Sequence, residues 1–376
     1  MRIAFVYDAV YPWVKGGAEK RIYELGRRLA GQGNEVHVFG VKWWEGSEII
    51  EYEGMVLHGV CAPMELYING RRSISEAIIF SLKLLPHLSG ERFDIIDASA
   101  FPYFPCFTVK LVSILKRTQV VVTWHEVWGN YWYEYIGWRG FFGKLIEHLV
   151  SKLSSDSIAV SAATKFNLES IGVESKKIHI IPNGIDIERI ERITPSSDGC
   201  DILFAGRLIK EKNVDMLLEA VNRLRQTVPD IKCHIIGDGP EKERLIGLAC
   251  EHGLLDNVKF FGFMEYDEII ACMKSSKVLV LPSSREGFGM VVIEAFACGV
   301  PVITVKNQGN AASMLVSEGT GFVVNPDAGE LSHAIRTIIT DGALYKKMSA
   351  AALDASREHD WDMMISELTR LYRELI

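Results

Sequence analysis

Two glutamates eight positions apart, Glu286 and Glu294, stand in contrasting surroundings. Glu286 lies in the run Arg285-Glu286-Gly287-Phe288-Gly289, while Glu294 lies inside Met290-Val291-Val292-Ile293-Glu294-Ala295-Phe296-Ala297. A carboxylate among apolar residues is costly to bury unless its oxygens accept hydrogen bonds. The paired hydroxyls of a ribose would satisfy Glu294 in bidentate fashion, and an internal structural partner would do so too. Glu286, in a loop rich in glycine, is suited to sugar hydroxyls, with the amides of Phe288 and Gly289 facing the same group at the start of the next helix.

A second constellation is cationic. Gly206-Arg207-Leu208-Ile209-Lys210-Glu211-Lys212 follows an apolar run, and places a planar guanidinium and a mobile ammonium near one strand end. A pyrophosphate suits both, the fork for two oxygens and the point charge for the rest. Lys210 reads as solvated surface charge. Two further glycine turns precede helical patterns, Gly16-Gly17 and Gly237-Asp238-Gly239-Pro240. Each is either a tight turn or a place where backbone amides approach an anion, a base or a ribose. His125, in Thr123-Trp124-His125-Glu126, ends a β-branched run and is either structural or close to a reacting group. No G-x-G-x-x-G fingerprint appears, which disfavours a dinucleotide-dependent oxidoreductase.

These residues gain meaning from the elements that must hold them. Short β-branched runs near 2–7, 35–41, 54–60, 94–98, 119–124, 156–160 and 177–181 alternate with helical patterns, as parallel strands with crossover helices do. The alternation restarts near 201–206, 231–237, 258–262, 277–281, 301–305 and 321–324, and only helical patterns follow residue 343. The class is α/β, with two Rossmann-like domains in tandem, 1–186 and 187–359, followed by a terminal helix 360–376. Residues 181–199, turn chemistry followed by a polar stretch that carries Pro195, read as the linker. In such sheets ligands bind beyond the carboxyl ends of the strands, where each candidate above falls.

Bulk properties narrow the partners. The formal charge of −7 excludes a broad hold on nucleic acid, which needs many neutralised phosphates. Seven dispersed cysteines without a C-x-x-C pair suggest neither a disulfide framework nor a zinc site, and point to a reducing, cytoplasmic compartment. The opening Met1-Arg2-Ile3-Ala4-Phe5-Val6-Tyr7-Asp8 reads as a first strand rather than a signal peptide. No uncharged run approaches the ~20 apolar residues that span a bilayer, so any membrane contact is expected to be peripheral. Asp360-Trp361-Asp362 reads as the cap of a terminal helix rather than a metal site, and no metal or cofactor is expected. The aromatic segment from Trp124 to Phe142 either packs in the core or presents rings to an acceptor or a lipid surface.

Taken together, Gly16-Gly17-Ala18-Glu19, Ile181-Pro182-Asn183-Gly184-Ile185-Asp186, Phe204-Ala205-Gly206-Arg207 through Lys212, Gly237-Asp238-Gly239-Pro240 and the Glu286 to Glu294 block resemble the retaining GT-B glycosyltransferases of family four, with their E-x7-E motif. The resemblance covers nearly the whole chain, and implies that the terminal helix 360–376 crosses back to pack on the first domain, 1–186. It implies a GT-B fold, two parallel sheets facing across a cleft, and transfer of a hexose from a GDP- or UDP-linked donor to a glycan, lipid-linked or small-molecule acceptor. It implies that Glu286 holds the donor sugar, Glu294 the ribose, Arg207 and Lys212 the diphosphate, and that Gly16-Gly17 approaches the phosphates. His125 matches the family's histidine near the reacting sugar. Glu126 departs from the aspartate often beside that histidine, and Asn307-Gln308-Gly309-Asn310 departs from the usual glycine pair before a glutamate. An epimerase of the same architecture and a non-catalytic sugar-nucleotide binder are the alternative readings.

Overall fold

Runs such as Ile95-Ile96-Asp97-Ala98-Ser99 are buried along their whole length, as strands covered on both faces must be. The computed structural model describes residues 1–68 and 71–376. It divides into unit 1, Met1–Asn183 with Trp361–Ile376, and unit 2, Gly184–Asp360.

Unit 1 contains strands β1 (Arg2–Val6), β2 (Glu35–Gly40), β3 (Ile49–Tyr52), β4 (Met55–Gly59), β5 (Tyr67–Ile68), β6 (Arg71–Arg72), β7 (Ile95–Ser99), β8 (Gln119–Trp124), β9 (Asp156–Ala159) and β10 (Ile178–Ile180). Its main sheet has the order β10-β9-β8-β7-β1-β2-β4-β3, while β5 and β6 form a separate pair. All pairings in the main sheet are parallel except β3 with β4. That hairpin was not expected from periodicity. Its turn holds Glu53 and Gly54 at φ 51° and 77°, the left-handed pair that a tight hairpin demands. Helices α1 (Gly17–Gly31), α2 (Ile74–Ser89), α3 (Phe104–Lys116), α4 (Tyr131–Ile136), α5 (Gly140–Val150) and α6 (Ala162–Ser170) complete the N-terminal part. Phe80, Leu84 and Leu88 of α2 and Val109 and Val112 of α3 join Val150 and Leu168 on one core layer. On the other, Ile22, Leu25 and Leu29 of α1 pack at helical spacing.

Unit 2 begins with α7 (Ile187–Arg192), where a plain linker was expected: the Asp186 carboxylate accepts from the amide of Arg189 at 3.0 Å and caps the helix. There follow β11 (Cys200–Ala205), α8 (Val214–Leu224), β12 (Cys233–Ile236), α9 (Lys242–Glu251), β13 (Val258–Gly262), α10 (Tyr266–Lys274), β14 (Ser276–Leu281), α11 (Met290–Ala297), β15 (Val302–Val305), β16 (Gly321–Val324), α12 (Ala328–Thr340) and α13 (Gly342–Ser356). The order β13-β12-β11-β14-β15-β16 is parallel throughout and reverses direction of growth between β11 and β14. Such a switch point opens a crevice at the strand ends.

The chain then re-enters unit 1 as α14 (Trp361–Leu375), whose Trp361, Met364, Ile365 and Leu368 complete the layer lined by α1. A buried polar network secures it. Asp97 accepts from Tyr372 Oη at 2.6 Å on one oxygen and from Thr123 Oγ1 at 2.6 Å on the other. Arg21 on α1 is 2% exposed and donates to the carbonyl of Pro182 at 2.5 Å and to Asn183 Oδ1 at 3.0 Å. Arg21, Asp97, Ser99, Thr123 and His125 line one small cavity. His125 as a residue is half-buried, yet its Nε2 is sealed from solvent and has no hydrogen-bond partner. Burial, with Arg21 adding repulsion, pushes its pKa down to about 3.

Two outcomes are expected. Tyr372→Phe deprives the buried Asp97 carboxylate of a donor and should lower unfolding stability by about 2 kcal/mol in denaturant titrations. His125 stays neutral when folded but takes a proton when unfolded, so stability is held above pH 6.5 and is lost as pH falls from there towards about 3. In urea melts followed into acid, His125→Gln should therefore lose stability less steeply than the wild type, by up to about 1.4 kcal/mol per pH unit.

Candidate functional site

The loops following the strands of unit 2 are sewn to one another. After β11, Arg207 is exposed, a turn of 3-10 helix spans Lys210–Lys212, and Asn213, at φ 47°, starts α8. Asn213 Nδ2 donates to the carbonyl of Pro282 at 3.0 Å, and the Ser284 amide donates to the carbonyl of Glu211 at 2.8 Å. These bonds fix the loop after β11 against the loop after β14. Lys212 Nζ and the Glu286 carboxylate consequently form an ion pair at the switch point, with their side chains 17% and 13% exposed. Shielding of this degree strengthens the attraction relative to a surface pair and leaves both groups reachable.

The loop between β15 and β16 completes this arrangement. The Glu286 amide donates to the carbonyl of Gly309 and the Ala311 amide donates to the carbonyl of Glu286, both at 2.9 Å. Asn310 anchors the loop, donating to Thr304 Oγ1 at 3.0 Å and the Val305 carbonyl at 2.8 Å. Sequence reasoning set this segment aside for its unusual residues, and only the fold shows that it braces Glu286. Beyond Gly287, Phe288 is buried and Gly289 caps α11 in a left-handed conformation. Glu294 stands on α11 at 8% exposure, between Ile293 and Ala295, which are fully enclosed.

The third loop, after β12, explains its glycines differently from the expectation of a close ligand. At Gly237, φ 140°, an added Cβ would lie 1.9 Å from the carbonyl oxygen of Gly206, and at Gly239, φ 157°, one would lie 2.3 Å from that of Leu208. The chain's own backbone fills the space, and Leu208 donates to the Asp238 carbonyl at 2.9 Å. Gly206 has no such demand, since an added Cβ there would meet only ordinary contacts at 3.5 Å or more.

In unit 1, Gly16 and Gly17 are exposed at the start of α1, and Gly16 has extended backbone, at φ −163°. Neither torsion nor packing against backbone requires a glycine at 16, where an added Cβ would meet only the movable carboxylate of Glu19. His125 follows β8 in the setting already described. A cluster absent from the sequence reading lies beyond β1: Asp8 is fully buried and ion-paired with Arg72, and Glu76 is 1% exposed. Burial, reinforced by Asp8, pushes the Glu76 carboxyl up to about 8. Within the aromatic segment, Trp124 and Trp132 are core, whereas Trp138, Phe141 and Phe142 are exposed. The Glu147 carboxylate fixes the intervening loop, accepting from Tyr103 Oη and the Trp128 amide at 2.7 Å and the Gly129 amide at 2.8 Å.

Residues 15–189 match the family model described as Glycosyltransferase Family 4, and residues 186–354 match Glycosyl transferases group 1. Glycogen synthase of Mycobacterium tuberculosis is 30% identical over 232 residues, which are 60% of this chain and 56% of that protein; the chain thus matches little more than half the length of this relative. An uncharacterized glycosyltransferase of Methanocaldococcus jannaschii is 29% identical over 99% of this chain and 98% of its own. Anabaena HepE, in a crystal structure with UDP-glucose, superposes with a TM-score of 0.78 at 20% identity, covering all of both chains, and speaks for the fold alone. Two matched regions that run without a gap from 15 to 354, on two α/β units with parallel sheets, place the chain in glycosyltransferase family 4, with the GT-B fold.

Proposed function

We propose that the protein transfers a hexose from a nucleoside diphosphate sugar to an acceptor hydroxyl with retention of configuration and without a metal at the phosphates. The observation that carries this reading is the Lys212–Glu286 pair at the switch point of unit 2, with Glu294 enclosed on the following helix. An ammonium held by a carboxylate is poised to exchange part of that contact for a phosphate oxygen. As the glycosidic bond breaks, negative charge grows on the departing diphosphate and positive charge on the sugar. Lys212 and Arg207 stabilise the former in place of a metal cation, and Glu286 orients the sugar hydroxyls. Glu294 accepts from the ribose hydroxyls, for which its two carboxylate oxygens are suited. The open backbone at Gly206, the loop glycines Gly237 and Gly239, and Gly287, Phe288 and Gly289 at the start of α11 shape the donor pocket.

By the family resemblance, Gly16 and Gly17 serve the donor phosphates and His125 the reacting sugar. Burial keeps His125 uncharged at neutral pH, so its role is to hydrogen-bond rather than to supply charge. Retention follows if the acceptor hydroxyl attacks the face that the diphosphate leaves, its proton passing to the departing phosphate oxygen. The donor is GDP- or UDP-linked, and no cofactor takes part.

Thermal-shift titration with GDP, UDP and ADP should show stabilisation by one of them, and Glu294→Ala should weaken that nucleotide by about 2 kcal/mol. Lys212→Ala should slow transfer about a hundredfold while costing much less in nucleotide affinity. Wild-type binding and rate in both variants would refute the assignment. Donor incubated alone distinguishes the alternatives: an epimerised sugar nucleotide identifies an epimerase, and inertness with every acceptor identifies a binding protein.

A further inference from the structure

Three helices of unit 1 are apolar on both sides. On α2, Ala77, Phe80, Leu84 and Leu88 face the core, yet Ile74, Ile78 and Leu82 form a second stripe at four-residue spacing, 61%, 38% and 70% exposed. On α3, Val109 and Val112 are buried while Leu111, Ile114 and Leu115 are 48%, 65% and 67% exposed. On α5, Val150 is buried while Phe141, Phe142, Leu145 and Leu149 are each at least 44% exposed. A helix that is apolar all round belongs in a setting apolar on both sides, and the sheet covers one side only.

The charges on these helices select the other side. The acidic residues of α2, α3 and α5 are Glu76 and Glu147, both 1% exposed and turned into the protein. Lys83, Lys110, Lys116 and Lys144 are the remaining formal charges, with Arg117 ending α3 and Arg139 preceding α5. In a chain of net charge −7, every formal charge that these three helices show to solvent is basic. Beside it opens an apolar cavity of about 570 Å³, walled by Phe101, Phe104, Trp132 and Tyr135 and rimmed by Arg71 and Arg139. Ile74 and Phe142 belong to both the cavity wall and the exposed face. Among the described residues no helix is long and apolar enough to cross a membrane.

We infer that unit 1 docks through the outer faces of α2, α3 and α5 on an anionic lipid bilayer. Apolar side chains enter the headgroup boundary, lysines meet lipid phosphates, and the adjoining cavity admits the apolar chain of a lipid that bears the acceptor hydroxyl, a final step that rests on the transferase reading above. A second copy of the chain would bring like charges together on this face, whereas an anionic surface neutralises them.

Co-sedimentation of the full chain with phosphatidylglycerol vesicles and with phosphatidylcholine vesicles tests the docking, alongside Ile114→Glu/Leu115→Glu. The wild type should pellet with phosphatidylglycerol, less at high salt and much less with phosphatidylcholine, and the double variant should bind at least about tenfold more weakly. Because both positions are exposed, the variant should keep the wild-type melting temperature and nucleotide shift, which separates failure of docking from failure of the donor assignment. The proposal falls if the wild type ignores phosphatidylglycerol, if the variant binds equally, or if the wild type is a dimer that the variant converts to a monomer.

Discussion

A charged pair held where two parallel strands diverge is the constraint on which unit 2 depends. Lys212 and Glu286 come from loops 74 residues apart, and each would be poorly placed without the other. The strand order puts β11 beside β14, and the bonds from Asn213 to Pro282 and from Ser284 to Glu211 leave their loops little freedom. Ordering two long side chains has an entropic cost, which this scaffold meets in advance of any ligand.

The same logic governs unit 1 with different groups. Its sheet changes direction of growth between β1 and β7, and near that point lie the buried charges Asp8, Asp97 and Arg21. Asp97 accepts from Thr123 and Tyr372, and Arg21 donates through Nη1 to the chain at Pro182 and Asn183, so α14 and the segment just before Gly184 are held by one polar core. Buried charges tolerate few alternative partners, which makes such a core a device for specifying arrangement more than for adding stability.

The two sides of unit 1 differ in what they ask of solvent. The layer built by α1 and α14 closes over an ordinary core around Trp361. The opposite layer closes its inner side as well, around Phe80 and Val109, but leaves a second set of large apolar residues outside. Helical periodicity alone cannot separate the two sets, because an all-apolar helix has no weak face to mark the exterior.

Strands, helices and their tandem division were legible in the sequence because β-branched runs and helical spacing are local signals. Glu286, Glu294, Arg207 and Lys212 stood out for a related reason, being charges at the edges of, or inside, apolar stretches. The Asp8–Arg72–Glu76 cluster and the bracing of Glu286 by Gly309 and Ala311 were not legible, since each depends on residues brought together across the fold. Gly237 shows the limit most clearly: its neighbours in sequence announce a turn, but the reason for a missing side chain is the carbonyl of Gly206, 31 residues earlier. Local chemistry chose the elements and the reactive groups, and the tertiary structure decided which of those groups meet.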